Sequence, residues 1–384
     1  MIPYTQHTID QSDIDAIVGA FRAGHLATGE IVREYEAAFA LHHGYAHGVA
    51  INSGTAALWC AYRALGISVG DEVITSPLTF AATANMIVAV GATPVFADVD
   101  AGSLNITQNT VAEKVTDMTR LIVPVDFGGQ IADVRCLDRA VMGLQRGKVG
   151  SAPRHKLRNI PVVVDAAHSV GVAATNIGVI RCYSTHAAKN MTTCEGGMIL
   201  TNDDGIAGYA RMLRNHGIDS DYHTRTSHAY SMQTLGFNFR LPDPLAALGL
   251  SQLRKLGEFN ARREYIRAQY DGAFNGELGI TLRKGGMPSS NHLYVVLLDL
   301  DALRYDRDHI FQLLRDAVVG VNVHYRPVYL FKPYARMGFQ PGLCPNAEWA
   351  YARLLTLPLY PGMEQWQVEY VISTVKSIIS AALK

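Results

Sequence analysis

Asp165 closes the apolar run Ile160–Val164. That places a carboxylate at the C-terminal tip of an expected buried strand, the edge where open α/β sheets bind their ligands. A carboxylate among apolar neighbours needs a cationic partner. A protonated pyridine nitrogen would supply one, and would let the ring act as an electron sink. As a lone residue, Asp165 also reads as a helix N-cap for the following AAHSVG segment. Lys189 lies in Ser184-Thr-His-Ala-Ala-Lys-Asn, ahead of Glu195-Gly196-Gly197. A lysine that attacks an aldehyde must be held near it and partly deprotonated, and a loop entering a desolvated site provides both. Taken alone it is also a solvated loop lysine.

Three more groups add to this pair. Asn52-Ser53-Gly54-Thr55-Ala56-Ala57-Leu58 is a small-residue turn feeding a helix. Free N–H groups at a helix start bind phosphate, and Gly54 allows close backbone approach. Ser53 and Thr55 add hydroxyls, although an ordinary N-cap would use the same residues. Phe80 follows the Val73–Thr75 run, where an aromatic stacks on a flat ring or simply packs in the core. His168 lies three residues after Asp165 and His186 three before Lys189. Each is placed to hydrogen-bond a cofactor or substrate oxygen, with a structural histidine as the alternative. There is no Walker lysine and no GxGxxG, which disfavours an NTPase or a nicotinamide site.

The elements that must position these residues alternate along the chain. Expected strands are Val73–Thr75, Pro94–Ala97, Leu121–Val125, Val162–Val164 and Met198–Thr201, with helices between them such as Thr55–Leu65 and Phe80–Val90. Asp10 to Phe21 reads as an opening helix capped by Asp10. The alternation predicts an α/β fold with a mostly parallel sheet flanked by helices. From Leu253 a long helix to Phe274 leads into an alternating strand, Leu293–Leu298, and then helix and loop. This predicts a large domain over 1–252 and a smaller α+β domain over 253–384. Gly143–Asn159 is basic and poor in apolar residues, a solvated loop or a surface that meets a phosphate or a partner.

Composition narrows the classes. The 384 residues carry 34 basic and 34 acidic side chains, which argues against nucleic acid or an anionic membrane as partner. Five cysteines without CxxC spacing fit neither a disulfide framework nor a zinc ribbon. No metal site is expected. The N-terminus lacks the pattern of a signal peptide, and no apolar run is long enough to cross a bilayer. The expected location is the cytoplasm.

Together these segments resemble the sugar aminotransferases of the DegT/StrS type, within the fold-type I pyridoxal-phosphate enzymes. The likeness rests on NSGTAAL at 52–58, GDEVITSPLTFAATAN at 70–85, GATPVFADVD at 91–100, DAAHS at 165–169 and HAAKN with EGG at 186–197. It continues through LGFNFRLPD at 235–243, HYRPV at 324–328 and LPLYPGM at 357–363. The resemblance implies pyridoxal 5'-phosphate as cofactor and Lys189 as its Schiff-base residue. Asp165 falls on the acid that pairs with the pyridine nitrogen, and His168 on the position near the ring's phenolic oxygen. Ser53, Gly54, Thr55, Ala56 and Ser184 fall on the phosphate-binding positions and Phe80 on the stacking aromatic. Asn238 matches an asparagine supplied by a neighbouring subunit, which implies a homodimer with shared active sites. Arg240, His324 and Tyr325 are implied near the substrate, where the spacing from Lys189 also puts His186.

The implied activity is amino transfer from L-glutamate to a nucleotide-linked keto-6-deoxy sugar. The look is that of the pseudaminic-acid branch, which aminates C4 of a UDP-linked 4-keto-6-deoxy-N-acetylhexosamine; a GDP- or dTDP-linked sugar is the alternative. Departures are Tyr183-Ser184-Thr185 where an aromatic-Ser-aromatic triplet is usual, and Cys194 where glycine is common. Other classes compatible with the fold are a sugar 3-dehydratase, a cofactor-binding regulator without enzyme activity, and a desulfurase with Cys344 as nucleophile. Lys189 counts against the first, and the lack of a basic face against the second.

Overall fold

The computed structural model describes residues 1–24, 26–134, 160–173, 180–219 and 228–384. The basic stretch 143–159 lies outside the described residues. Strands β1 (His47–Ile51), β2 (Glu72–Thr75), β3 (Thr93–Phe96), β4 (Thr119–Val123), β5 (Val163–Asp165), β6 (Ile180–Ser184) and β7 (Gly197–Thr201) come from the first half of the chain. They fall into two hydrogen-bonded sets, β1-β7-β6-β5 and β3-β2-β4. Parallel bridges Ile122 to Val162 and Val125 to Asp165 join β4 to β5, giving the order β1-β7-β6-β5-β4-β2-β3. Only β7 runs against its neighbours.

Both faces of this sheet are buried, and the period of two shows it. Val49, Ile51, Val73, Leu121, Val123, Val163, Ile180 and Ile199 point into one core. Their alternates Ala50, Ile74, Ile122, Val164, Tyr183 and Leu200 point into another. That pattern explains why the strands read as short continuous apolar runs. Because β1, β2, β4, β5 and β6 share a direction, their C-terminal ends line one edge. The residues following those ends include Ser53, Phe80, Asp126 and the segment leading to Lys189.

Helix α1 (Gln11–Ala23) starts at Asp10, whose side chain accepts from the Asp13 N–H in a reciprocal capping box. Helix α2 (Glu30–His43) precedes β1. Helix α3 (Gly54–Ala64) buries Ala56, Ala57, Leu58, Cys60, Ala61 and Tyr62 against the sheet. Helix α4 (Ala81–Ala89) begins directly after Phe80. The long helix Asp243–Phe274 starts ten residues earlier than its apolar pattern predicts. Pro244 sits in its first turn, where a missing N–H costs nothing.

Two strands near the site escape sequence reading, and one physical reason is clear. In β6 the fully buried Arg181 breaks the apolar run. Its charge is met by Asp126, whose Oδ2 lies 2.7 Å from Arg181 Nη1. β1 is short and opens on a histidine. Beyond the sheet, β8 (Ile280–Leu282), β9 (Tyr294–Leu298) and β10 (Leu354–Leu357) form an antiparallel sheet. They share a separate core with the helices Arg307–Asp316 and Gln365–Ala382. We propose that this core marks the smaller domain, whose sheet also packs on the large one: Val295, Leu297 and Leu354 join the core that holds Val164 and Leu200. The division at 252/253 then falls inside the helix Asp243–Phe274, which contributes to both.

Candidate active site

Asp165 ends β5 with its carboxylate buried. Its Oδ2 accepts from Thr83 Oγ1 at 2.6 Å and its Oδ1 from the Ala167 N–H at 3.2 Å. The Thr83 hydroxyl also lies 2.6 Å from Thr79 Oγ1. Burial raises the Asp165 pKa, opposed by the Thr83 hydrogen bond, the Ala167 N–H and the charge of Lys189. Below it, Asp126 N–H donates to the Asp165 carbonyl at 3.0 Å. Asp126 itself is held by Arg181 and by Ser169 Oγ at 2.5 Å. The carboxylate thus sits beside a buried ion pair, and among the described residues no arginine or histidine hydrogen-bonds it. A cationic ring nitrogen is the partner it lacks.

Lys189 rides on the loop between β6 and β7. That loop is pinned by threonines: Thr185 N–H donates to Gly196 O at 2.9 Å, Thr193 N–H to Thr185 O at 2.8 Å, and the Thr185 and Thr193 hydroxyls lie 2.6 Å apart. Loss of hydration pushes the Lys189 pKa from 10.5 down to about 8, with Asp165 opposing the shift. Below that pH Nζ is an inert ammonium; above it Nζ is a free amine. The rate at which apoenzyme takes up an aldehyde cofactor should therefore rise with pH through about 8 and then level off. Stopped-flow absorbance across pH would show this, and a rise continuing toward 10.5 would mean an ordinary lysine.

Ser53 caps α3 by accepting from the Ala56 N–H at 3.1 Å. The remaining first N–H groups of the helix have no intrahelical acceptor, and among the described residues none hydrogen-bonds the Thr55 hydroxyl. Two close approaches build this end. A Cβ on Gly54 would lie 2.9 Å from the Ser184 Cβ, and one on Gly197 would lie 2.5 Å from the Ser53 carbonyl. Gly54 and Gly197 thereby bring the α3 start against the ends of β6 and β7. Phe80 is 63% exposed, beside Tyr325 with ring centroids 6.4 Å apart. The exposed face of the ring at this edge is free to stack on a flat ligand.

His168 is buried and held neutral, its pKa well below the usual value through desolvation and the charges of Lys189, His324 and Arg283. Gly128 N–H donates to its Nδ1 at 3.3 Å, so the ring proton is assigned to Nε2. Nε2–H then donates to Tyr325 Oη at 3.0 Å, leaving the phenol proton free to donate to a ligand. His292 packs on the other side of His168 at 4.5 Å.

The structure thus brings together Ser53, Gly54, Thr55, Ala56, Phe80, Asp165, His168, Ser184, Lys189 and Tyr325. Four expected residues stand differently. His324 is buried, with Nδ1 2.9 Å from Thr356 Oγ1 and Nε2 3.5 Å from Asn322 Nδ2. Burial holds its pKa down at about 3. Its ring meets Tyr325 edge-on at 4.8 Å, so it seats Tyr325 rather than offering a free polar atom. His186 is exposed, 3.7 Å from Glu195, with Nδ1 accepting from the Ala188 N–H. Arg240 donates to Asn215 Oδ1 at 2.7 Å. Asn238 is exposed beside Asn52, whose side-chain amide donates to its carbonyl at 3.4 Å.

Thr83 was not legible as a site residue, because FAATAN reads as an ordinary helix start. Its only signal is the i, i+4 spacing with Thr79, which puts both hydroxyls on one face. Replacing Thr83 with valine keeps the shape and deletes the donor. We expect kcat to fall about tenfold or more, with KM little changed. The acid limb of the pH–rate profile should move up, since Asp165 loses a bond that favours its charged form. An unmoved limb would leave Thr83 with a packing role only.

The same geometry bears on the alternative with a cysteine nucleophile. Cys344 is fully buried, and burial pushes its thiol up to about 12. A thiol that is neither exposed nor ionised at neutral pH is a poor nucleophile.

A parallel α/β edge presenting a buried carboxylate, a desolvated lysine, a helix start with free N–H groups and an exposed ring fits a pyridoxal-phosphate enzyme of the aminotransferase class. The chain belongs to the DegT/DnrJ/EryC1/StrS aminotransferase family, whose model matches residues 7–376. It is 37% identical to the spore coat polysaccharide biosynthesis protein SpsC of Bacillus subtilis, over 99% of this chain and 98% of that one. The fold matches the putative sugar aminotransferase Spr1654 from Streptococcus pneumoniae, PMP form, at TM-score 0.91 and 30% identity, covering 100% of both chains. It also matches Helicobacter pylori PseC, an aminotransferase of pseudaminic acid biosynthesis, at TM-score 0.89 and 26% identity over 99% of each chain. The protein is a pyridoxal-phosphate-dependent aminotransferase.

Proposed function

We propose that this aminotransferase moves the amino group of L-glutamate to a nucleotide-linked keto-6-deoxy sugar, at C4 of a UDP-4-keto-6-deoxy-N-acetylhexosamine, in the cytoplasm. The observation that carries amino transfer is the buried Asp165 carboxylate, with the desolvated Lys189 as the one cation that acts on it among the described residues. The sugar class is supported by the likeness to SpsC, Spr1654 and PseC and by the segments VDFGGQ, LGFNFRLPD and HYRPV.

The residues present fit the cofactor. Asp165 would hold the ring nitrogen, Phe80 one ring face, His168 with Tyr325 the phenolic edge, and Ser53 to Ala56 with Ser184 the phosphate. When bound, pyridoxal phosphate supplies an aldehyde and a ring that accepts electrons. Lys189 Nζ, free of its proton above about pH 8, would be the amine that holds the cofactor there. As a desolvated amine, Nζ would also be the group that takes the proton from the donor's α-carbon and delivers it again. Asp165 would hold the ring nitrogen in its protonated form and so favour the ring's acceptance of electrons. Tyr325 Oη, already accepting from His168, holds its own proton toward the ligand. The sugar half-reaction uses the same groups in the opposite order.

We also propose that two chains share each site. Tyr230, Met232, Leu235 and Phe237 are 50 to 76% exposed immediately before Asn238. Such an apolar patch favours burial against a second copy, which would carry Asn238 to the partner's cofactor phosphate. Assays with L-glutamate and UDP-, GDP- and dTDP-linked keto sugars, with product stereochemistry read by NMR, test the substrate. Amination of the UDP-linked 4-keto sugar is expected; turnover confined to dTDP- or GDP-linked sugars, or to non-sugar ketones, would refute the reading.

A further inference from the structure

A small cavity lies between the N-terminal segment Gln6–Thr8, the Lys189 loop and the long helix. Its wall includes Gln6, His7, Thr8, Lys189, Gln252 and Arg263, and no carboxylate lines it. Its room suits roughly one water-sized occupant. Arg263 lies on the long helix Asp243–Phe274 and is 1% exposed. Its Nη1 donates to the carbonyls of His292 at 3.3 Å and Leu359 at 2.8 Å. Among the described residues Nε has no acceptor, no hydrogen bond is made by Nη2, and no acid pairs with the guanidinium. Asp13, which shares Gln252 with this wall, is already paired: it lies 2.8 Å from Lys255 Nζ and accepts from Gln252 Nε2 at 2.8 Å. A buried guanidinium without a counter-charge is costly, and burial draws its pKa down to about 9.

We propose that this cavity binds a small monovalent anion of chloride's size against Arg263. Size excludes phosphate, and a carboxylate group would not enter. Arg263 offers two N–H edges and a weakly hydrated charge, which suit a halide. The bound ion would tie together the segment Gln6–Thr8, the Lys189 loop, the long helix and Pro361 of the C-terminal half. It is a structural anion, separate from the cofactor's phosphate at α3, and does not depend on which sugar is aminated.

Linkage makes the test direct, because a ligand of the folded state stabilises it by mass action. The holoenzyme is melted in gluconate replaced stepwise by chloride at fixed ionic strength. We expect the Tm to rise by about 2 °C per tenfold chloride once the site fills. Arg263→Met should melt independently of chloride. Should that variant fail to fold, crystals of the wild-type holoenzyme soaked in bromide give an independent reading. An anomalous peak within hydrogen-bond reach of Arg263 is expected. Water at that position, or a bromide peak with no chloride dependence of Tm, would overturn the proposal.

Discussion

Lys189→Ala should lose about 10⁴-fold or more in turnover, with the fold intact and cofactor still bound noncovalently. The magnitude follows from removing both a nucleophile and a proton carrier, the latter alone contributing roughly 10²–10⁴-fold. The fold should survive because the loop is held by Thr185, Thr192 and Thr193 and not by the lysine side chain. Added primary amines should restore part of the proton transfer. Steady-state amination with the variant and wild type side by side gives the ratio; near-normal activity would remove Lys189 from the centre of the site.

Asp165→Asn is the second large effect. Asparagine keeps the size: its one carbonyl oxygen can accept from the Ala167 N–H while its NH2 donates to the Thr83 hydroxyl, which can turn to the Phe80 carbonyl, so the melting temperature should move little. The charge is gone, and with it the means of keeping the ring nitrogen protonated. A loss of about 10³-fold in kcat is expected, in line with removing one preorganised electrostatic stabiliser. The carboxylate's raised pKa in the cofactor-free protein has a further consequence. Desolvation favours its neutral form, so apoprotein Asp165 is fully charged only at higher pH than an ordinary aspartate. A cationic partner reverses this by favouring the charged form. Cofactor binding should accordingly be coupled to loss of a proton from Asp165, and calorimetry in buffers of different ionisation enthalpy measures that proton. In Asp165→Asn this proton release should vanish.

What sequence reveals here divides along a physical line. The Asp165 position is legible because a strand buried on both faces must be apolar until its tip, and the first charged residue after VVV marks that tip. The α3 start is legible because small residues and hydroxyls before an apolar helix have few other uses. β6 was not legible, since Arg181 in its middle looks like a solvent-facing residue. Only the tertiary pairing with Asp126 explains how it is buried. Histidines divided the same way. His168 and His324 carry the same side chain near conspicuous motifs. His168 meets Tyr325 and faces the site, whereas His324 is locked between Thr356 and Tyr325. Burial of that kind is set by distant segments and leaves no local trace. Thr83 belongs with them: its role exists only because α4 begins beside the end of β5.

The central claim is that Lys189, of all lysines in the chain, carries the cofactor. Borohydride reduction of the holoenzyme, followed by proteolysis and mass spectrometry, reads this directly. The cofactor's mass should appear on the peptide containing Lys189 and on no other, and should vanish when L-glutamate is added before the reductant. Label on a different lysine, or none on the Lys189 peptide, would contradict the account.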